Sequence, residues 1–137
     1  MQFGSAQEAE AAFYAAFQIS DFEAMTLIWD DHEAVCIHPF GDRIEGKSAI
    51  VQSWQLIFAH DVQLRFTLSD PWVFSGDSHG IHLVRENISV DESEGVKSMV
   101  VLATNAYRRV DDGWRMILPH ASPAPADSNA VPVGRMH

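Results

Sequence analysis

The sequence predicts one α+β domain in which three helices, all in the first half of the chain, pack on a meandering antiparallel sheet. Two observations carry this prediction. Apolar residues recur at helical spacing before residue 60, and long alternating segments separated by glycine-containing turns follow. The chain has 137 residues, of which 47% are hydrophobic and 20% are charged. Both the length and the composition are ordinary for a single globular domain.

Each predicted helix has its own start signal. Ser5 and Glu8 have the spacing of a capping box, in which each side chain satisfies a free backbone N–H group. Asp21 is a second capping residue, and Gly46 opens the third helix. The three predicted helices cover 5–19, a short stretch from Ser20 through Trp29, and the segment from Gly46 to Phe58.

The predicted strands alternate in polarity and are joined by turn signals. Glu92-Ser93-Glu94-Gly95 and Asp111-Asp112-Gly113 are typical of hairpin turns. The strand segments are 34–38, 43–45, 62–74, 79–90, 96–110 and 113–120. Segment 96–110 is apolar on both faces, and the helices can cover only one face of a sheet. We therefore expect a homodimer in which the outer sheet face packs against a second subunit.

The chain divides into a domain over 5–123 and a Pro/Ala-rich tail over 124–137, which we expect to be flexible. A tail that packs on a partner subunit is the alternative. The formal net charge of −10 disfavours nucleic acid and anionic membrane surfaces as partners. No apolar stretch approaches the roughly 20 residues that span a bilayer.

Cysteine usage indicates a reducing compartment and no metal. Cys36 is the only cysteine, which excludes an intrachain disulfide and a multi-cysteine zinc site. The seven histidines contain no H-x-x-x-H pair, so we expect neither a metal nor another cofactor. The first residues lack a basic segment followed by an apolar run, so we expect a cytoplasmic protein.

One motif is rejected. Residues 41–48 match the P-loop pattern G-x-x-x-x-G-K-S, whose backbone N–H groups would cradle phosphates. Asp42 and Glu45 would repel a triphosphate, and Ile44 is bulky. A hairpin meander follows instead of the alternating βα units of a nucleotide-hydrolysing sheet.

Strand alternation places several polar residues on one face of the sheet. Glu86, Asn105, Tyr107 and His120 share this face, and His38 joins them from the first strand. An apolar pocket with a few converging polar groups is typical of a small-molecule site. Four of these residues also have a structural interpretation: His38 as a core histidine, Glu86 in an ion pair, Tyr107 in packing and His120 exposed to solvent. Asn105 is unusual in the middle of a strand, which favours a role in the pocket.

The order of motifs along the chain resembles the NTF2-like superfamily, and within it the SnoaL-like group, over about residues 5–123. The matching stretches are Phe22-Glu23-Ala24-Met25, Trp29-Asp30-Asp31, Cys36-Ile37-His38-Pro39, Gly46-Lys47-Ser48-Ala49-Ile50, Trp54, Tyr107-Arg108-Arg109, Gly113-Trp114-Arg115-Met116 and His120-Ala121-Ser122-Pro123. The resemblance implies a cone in which helices and a strongly curved sheet enclose a pocket. Members of the superfamily include isomerases, cyclases, dehydratases and association modules, and homodimers are common.

The ketosteroid isomerases in this superfamily imply roles for single residues. His38 stands where their general base lies, and Asn105 stands at an oxyanion-hole position. Counting places Phe13, rather than Tyr14, where they carry a second donor, so half of that hole would be missing. The aromatic residues expected to line the pocket are Phe13, Trp29, Trp54, Phe58 and Tyr107.

We therefore expect a pocket that binds, or weakly transforms, a small apolar carbonyl compound. His38 would act as acid or base in isomerase- or cyclase-like chemistry, with Asn105 polarising the oxygen and Glu86 or His120 relaying the proton. A core interpretation of Trp29, Trp54 and Phe58 stays open beside this one. The alternative function is a non-catalytic homodimerisation module with a vestigial pocket.

Overall fold

The computed structural model describes residues 3–59, 64–92, 95–111 and 113–125. Its elements in chain order are α1 (Ala6–Ile19), α2 (Phe22–Thr26), β1 (Val35–Ile37), β2 (Arg43–Glu45), α3 (Lys47–Phe58), β3 (Leu64–Ser75), β4 (His79–Glu92), β5 (Gly95–Val110) and β6 (Gly113–Pro123). The predicted α+β cone is confirmed: helices pack on a curved, mainly antiparallel sheet that does not close. Parts of both predicted hairpin turns and residues 126–137 of the predicted tail lie outside the described residues.

The predicted helix starts follow from side-chain capping. The Ser5 hydroxyl accepts from the Glu8 N–H at 3.1 Å, and the Glu8 carboxylate accepts from the Gly4 N–H at 3.2 Å. The Asp21 carboxylate accepts from the Ala24 N–H at 3.0 Å and so begins α2. These bonds satisfy backbone donors that lack partners within the helices.

The second helix ends at Thr26, so the prediction that it continues through Trp29 is wrong. The chain turns there because its backbone pairs with β6 instead. The Met116 N–H donates to the Ile28 carbonyl at 2.9 Å, and the Asp30 N–H donates to the Met116 carbonyl at 3.0 Å. This pairing fixes Trp29 in the core with no exposed surface.

Within the described residues the strands form one six-stranded sheet in the order β2-β1-β6-β5-β4-β3. Neighbouring strands are antiparallel except β1 and β6, which are parallel at Ile37 and His120. Register shifts interrupt β3 between Ser69 and Trp72, and interrupt the β5–β6 pairing at Ala106 and Tyr107. Such irregularities bend a sheet and increase its twist, which helps the sheet to wrap around the helices.

The β5–β6 irregularity reverses which residues of β6 face inwards. Ala106 pairs with Leu118, and the next residue, Tyr107, pairs with Met116, so Ile117 is the extra residue. Met116 is buried inside the cone, but beyond Ile117 the inward positions belong to odd-numbered residues. The prediction that His120 shares the inner face is therefore wrong.

The outer face of the sheet is exposed and partly apolar. The side chains of Trp72 and Phe74 are 64% and 54% exposed, and they lie on the face opposite the helices. Further exposed apolar residues of the same face are Ile81, Leu83 and Leu102. We call these five residues the outer apolar patch. The central part of the inner face of β4 and β5 is buried, with Val84, Val101, Ala103 and Tyr107 in the core.

Candidate functional site

A cavity of about 350 Å³ lies between the helices and the inner face of the sheet. This volume is at the small end of the range for ligand pockets, roughly 300–1,000 Å³. At about 30 Å³ per water, it holds roughly a dozen waters. Its lining residues are Phe13, Phe17, Cys36, Ile37, His38, Pro39, Trp54, Ile57, Glu86, Ile88, Ala103, Asn105, Pro119 and Ala121.

Aromatic side chains form the helical wall of this cavity. Trp54 of α3 packs edge-on against Phe13, with ring centroids 5.6 Å apart, and against Phe17 at 4.9 Å. The two phenylalanines lie one turn apart on α1, which places them on the same helix face. The wall therefore offers an apolar surface to a ligand, with few groups able to form hydrogen bonds.

Glu86 is the carboxyl group among the described residues of the cavity wall. It lies in the middle of β4 on the inner face and is only 5% exposed. The Tyr14 hydroxyl donates to its Oε2 at 2.6 Å, and no described residue forms an ion pair with it. Burial raises the pKa of Glu86, and the charge of Glu10 raises it further, against the opposing effect of the Tyr14 bond. The group is therefore suited to donate a proton.

Behind Glu86 lies a buried polar network. Asn105 donates from Nδ2 to the Tyr14 hydroxyl at 2.8 Å and lies 3.5 Å from Oε2 of Glu10. The same Glu10 oxygen accepts from the Tyr107 hydroxyl at 3.0 Å, and Nδ1 of the buried His82 is also 3.0 Å away. Burial raises the pKa of both tyrosines, so their hydroxyls stay protonated and can donate.

His38 is the second titratable group on the cavity wall. Its Nε2 lies 3.0 Å from the Ser53 Oγ, and that hydroxyl donates its proton to the Ile50 carbonyl at 2.7 Å. The Ser53 oxygen therefore accepts from His38 Nε2–H, which leaves Nδ1 as the basic nitrogen. The imidazole packs edge-on against Trp54 with centroids 4.9 Å apart. Burial lowers the pKa of His38, so the ring is neutral at pH 7 and can accept a proton.

Cys36 borders His38 but does not form a nucleophilic pair with it. The Sγ atom lies 3.6 Å from Nε2 of His38, and the side chain is 1% exposed. Burial raises the pKa of the Cys36 thiol to about 12, so it stays protonated at neutral pH. Because the thiolate is the reactive form, the thiol is an inert part of the wall.

The structure brings together five of the nine predicted site residues on the cavity wall: His38, Glu86, Asn105, Phe13 and Trp54. The other four do not line it. Trp29 and Tyr107 are fully buried in the core, and Phe58 packs against Trp54 from outside the cavity. His120 is exposed on the outer face, because the extra residue at Ile117 turns it away from the helices.

Tyr14 belongs to the polar network of this site, and the sequence pattern did not select it. Counting from Asp21 selected Phe13, and both residues are buried on α1. The tyrosine hydroxyl, rather than the phenylalanine ring, contacts Asn105 and Glu86. A signal was present, because a tyrosine within an alanine-rich apolar helix needs a partner for its hydroxyl when it is buried. The role expected of Asn105 also changes, since its amide donors point to Tyr14 and Glu10 and not to the cavity.

Two further properties concern the described part of the chain. Among these residues, no three histidine, cysteine, aspartate or glutamate side chains are grouped so that they could hold a metal ion. None of the described helices combines the length and apolar character needed to cross a membrane.

Comparison with known proteins places these features in context. A family model described as a SnoaL-like domain matches residues 7–127. Among solved structures, one from Thiobacillus denitrificans, assigned as a calcium/calmodulin-dependent protein kinase type II association domain, is 34% identical. The match covers 91% of this chain and 99% of that one, with a TM-score of 0.83.

Two further relatives carry other assignments than the association domain. A Streptomyces avermitilis protein assigned as a dehydratase of the NTF2-like family is 29% identical, covers 86% of this chain and 93% of its own, and has a TM-score of 0.78. The F-box protein SKIP8 of Arabidopsis thaliana is 25% identical over 131 residues and 88% of this chain. The chain spans half the length of that curated relative.

Proposed function

The chain belongs to the SnoaL-like domain family of NTF2-like proteins, and from that premise we propose that it binds a small, largely apolar carbonyl compound and acts on it by acid–base chemistry. One observation carries the proposal. Glu86 is a buried carboxyl without a cationic partner among the described residues, and it lies on the wall of an apolar cavity that a neutral imidazole also lines. A titratable group shifted by burial in a cleft is the usual sign of an acid or base at work.

The proposed step uses the two groups together. Nδ1 of His38 takes a proton from the carbon next to the carbonyl, the C–H electron pair becomes a C=C bond, and Glu86 gives its proton to the carbonyl oxygen. In a ligand that carries a C=C bond one carbon beyond this C–H, the enol is conjugated. Return of the proton from His38 to the far carbon of that system, with the enol proton going back to Glu86, re-forms the C=O bond and gives the isomer with the C=C bond shifted. In a ligand with a hydroxyl group on the β carbon, that hydroxyl instead leaves as water with the proton held by His38. The enol proton returns to Glu86, the C=O bond re-forms and an α,β-unsaturated carbonyl compound results. Neither route needs a cofactor.

This assignment changes the expected role of Asn105. The oxygen of the ligand would be polarised by Glu86, because the Asn105 amide donates to Tyr14 at 2.8 Å. The aromatic wall of Phe13, Phe17 and Trp54 would hold the apolar body of the ligand. The assignment of the Streptomyces avermitilis relative as a dehydratase is compatible with elimination chemistry.

The experiment is a thermal-shift screen of small aromatic and cyclic ketones on the wild type, His38→Gln and His120→Gln. A ligand at 100 times its Kd stabilises by about 2.7 kcal/mol, which moves the Tm by several degrees. Hits should weaken in His38→Gln and persist in His120→Gln, since His120 lies on the outer face. Exchange of the hydrogens next to the carbonyl for solvent deuterium, lost in His38→Gln and in Glu86→Gln, would establish catalysis. No stabilisation by any ketone would refute the proposal.

A second candidate function is self-association through the outer apolar patch, and the exposure of Trp72 and Phe74 favours it. A large exposed apolar patch on a folded domain is typical of a surface that contacts another protein. The Thiobacillus denitrificans relative assigned as an association domain supports the same idea. We propose a homodimer, and we place it in the cytoplasm because the buried, free Cys36 fits a reducing compartment.

Sedimentation equilibrium tests this second candidate. The wild type should have twice the chain mass of 15.3 kDa, and Leu102→Glu, in the patch, should be monomeric. Ile19→Glu is the matched control, because Ile19 is also an exposed apolar residue but lies at the end of α1. A monomeric wild type, or equal dissociation by both variants, would refute association through this face.

A further inference from the structure

The hydrogen bonds around Glu86 have a fixed direction, and that direction determines which of its oxygens can carry the proton. We propose that Tyr14 and Asn105 are positioning residues that keep the Glu86 proton on Oε1, the oxygen that no described residue binds, so that this proton serves a ligand in the cavity. The site then takes an uncharged ligand whose oxygen accepts this proton, and it disfavours carboxylates. The ligand class rests on the function proposed above, whereas the positioning role can be tested without any ligand.

The first step is the orientation of the Asn105 amide. Its Nδ2 lies 2.8 Å from the Tyr14 hydroxyl and 3.5 Å from Oε2 of Glu10. A carboxylate only accepts hydrogen bonds, so the edge of the amide facing Glu10 must be the NH₂ group. Asn105 is therefore a donor to the Tyr14 oxygen.

The second step concerns the direction of the hydrogen bond between Tyr14 and Glu86. Tyr14 accepts from Asn105 and has one proton of its own, which it donates to Oε2 of Glu86 at 2.6 Å. Oε2 is then occupied as an acceptor, so a protonated Glu86 carries its hydrogen on Oε1. That second oxygen forms no hydrogen bond with any described residue, and Glu86 lines the cavity.

The third step concerns the charge of the ligand. Among the described residues, the cavity wall contains no lysine or arginine, and neither its neutral imidazole nor its carboxyl group provides a positive charge. A carboxylate ligand would lose its hydration without gaining a cationic partner, which is costly in an apolar cavity. A ketone or aldehyde oxygen instead accepts the Oε1 proton without carrying a charge into the site.

The test of positioning is the sign of a pKa change. The titration of Glu86 is followed by NMR of ¹³C-labelled carboxyl groups and assigned with Glu86→Gln. A donor to the ionised carboxylate lowers its pKa, so Tyr14→Phe should raise the pKa of Glu86 by about one to two units. Tyr107→Phe is the matched control, because it removes a buried hydroxyl that contacts Glu10 instead, and it should change the value by less than about half a unit.

A fall in the pKa of Glu86 in Tyr14→Phe would show that Glu86 donates to Tyr14, and it would overturn the assignment. An unchanged value would overturn it as well. If Tyr14→Phe fails to fold, Asn105→Leu provides the second test. It weakens the Tyr14 donor by removing its polarising partner, and it should raise the pKa of Glu86 by a smaller amount.

The test of ligand class compares 4-ethylacetophenone with 4-ethylbenzoate by calorimetric titration at pH 7. The two probes are similar in size and apolar body but differ in charge. We expect the ketone to bind at least about tenfold more tightly. Tighter or equal binding of the benzoate would overturn the ligand class alone. Binding of neither probe would overturn the proposed function and the ligand class with it, while the titration of Glu86 still decides the positioning role.

Discussion

Replacing Asn105 by leucine should leave the stability nearly unchanged, whereas replacing it by aspartate should lower the stability strongly at neutral pH. Asn105→Leu removes the bond to Tyr14, which contributes about 1 kcal/mol. It also removes a buried Oδ1 that has no partner among the described residues, and such an atom costs about 1–3 kcal/mol. The two effects offset each other, so the free energy of unfolding should stay within about 1 kcal/mol of the wild type.

Asn105→Asp instead places a third carboxyl group in the network. Nδ2 of Asn105 lies 3.5 Å from Glu10, and two unit charges at that distance repel by about 5 kcal/mol at an effective dielectric constant of about 20. This corresponds to a rise of about three to four units in the folded-state pKa of the new carboxyl group. The unfolded chain ionises normally, so the folded state should lose about 4 kcal/mol at pH 7.

Urea unfolding between pH 4 and pH 8 measures both variants against the wild type. Because the folded pKa of the new group is raised, its destabilising effect is largest at neutral pH, shrinks as the pH falls and disappears near the ordinary aspartate pKa of about 4. Asn105→Leu should show no such pH dependence. Equal stabilities of the two variants at pH 7 would refute the proximity of Asn105 and Glu10.

Three further predictions concern other buried groups. Glu10→Gln should lower the pKa of Glu86, because the charge of Glu10 raises it; ¹³C NMR titration measures this, and an unchanged value would contradict it. Arg108→Met should lower the free energy of unfolding at neutral pH in urea unfolding, since it leaves the buried Asp30 without the cation that lies 3.0 Å away. Burial favours a higher pKa for Asp30, but backbone N–H groups and Arg108 hold it below its ordinary value, so the stability it contributes is lost as the pH falls through that lowered value. Cys36 should react with a thiol reagent only upon unfolding, and fast reaction of the native protein would show that the cavity opens widely.

The elements whose signals are local were predictable from the sequence. Ser5 and Asp21 act within three residues of the backbone groups that they cap, so pattern alone places the starts of α1 and α2. The placement of Glu86 and Asn105 on the inner face of the sheet was also predictable from the alternation of polar and apolar residues, because β4 and β5 pair without interruption. These features depend on neighbours in sequence or on an unbroken period.

The features that failed depend on contacts between distant segments. The misplacement of His120 comes from one extra residue at Ile117, and nothing in the sequence of β6 marks a bulge there. Trp29 lies outside α2 because the backbone groups of the residues on either side of it form hydrogen bonds with Met116. Met116 lies 87 positions further along the chain. Tyr14, and not Phe13, belongs to the polar network because its hydroxyl donates to Glu86 of β4, a strand far away in sequence. Periodicity cannot reveal such pairings, since each is decided by tertiary structure.

The central claim is that the cavity holds a small uncharged carbonyl compound, and alanine methyl groups can report on it directly. Ala103 and Ala121 line the cavity, whereas Ala106 lies on the outer face of the same sheet. Titration of methyl-labelled protein with 4-ethylacetophenone should shift the signals of Ala103 and Ala121 in a saturable manner and leave the signal of Ala106 in place. Absence of shifts at the two cavity alanines, or equal shifts at Ala106, would contradict the account.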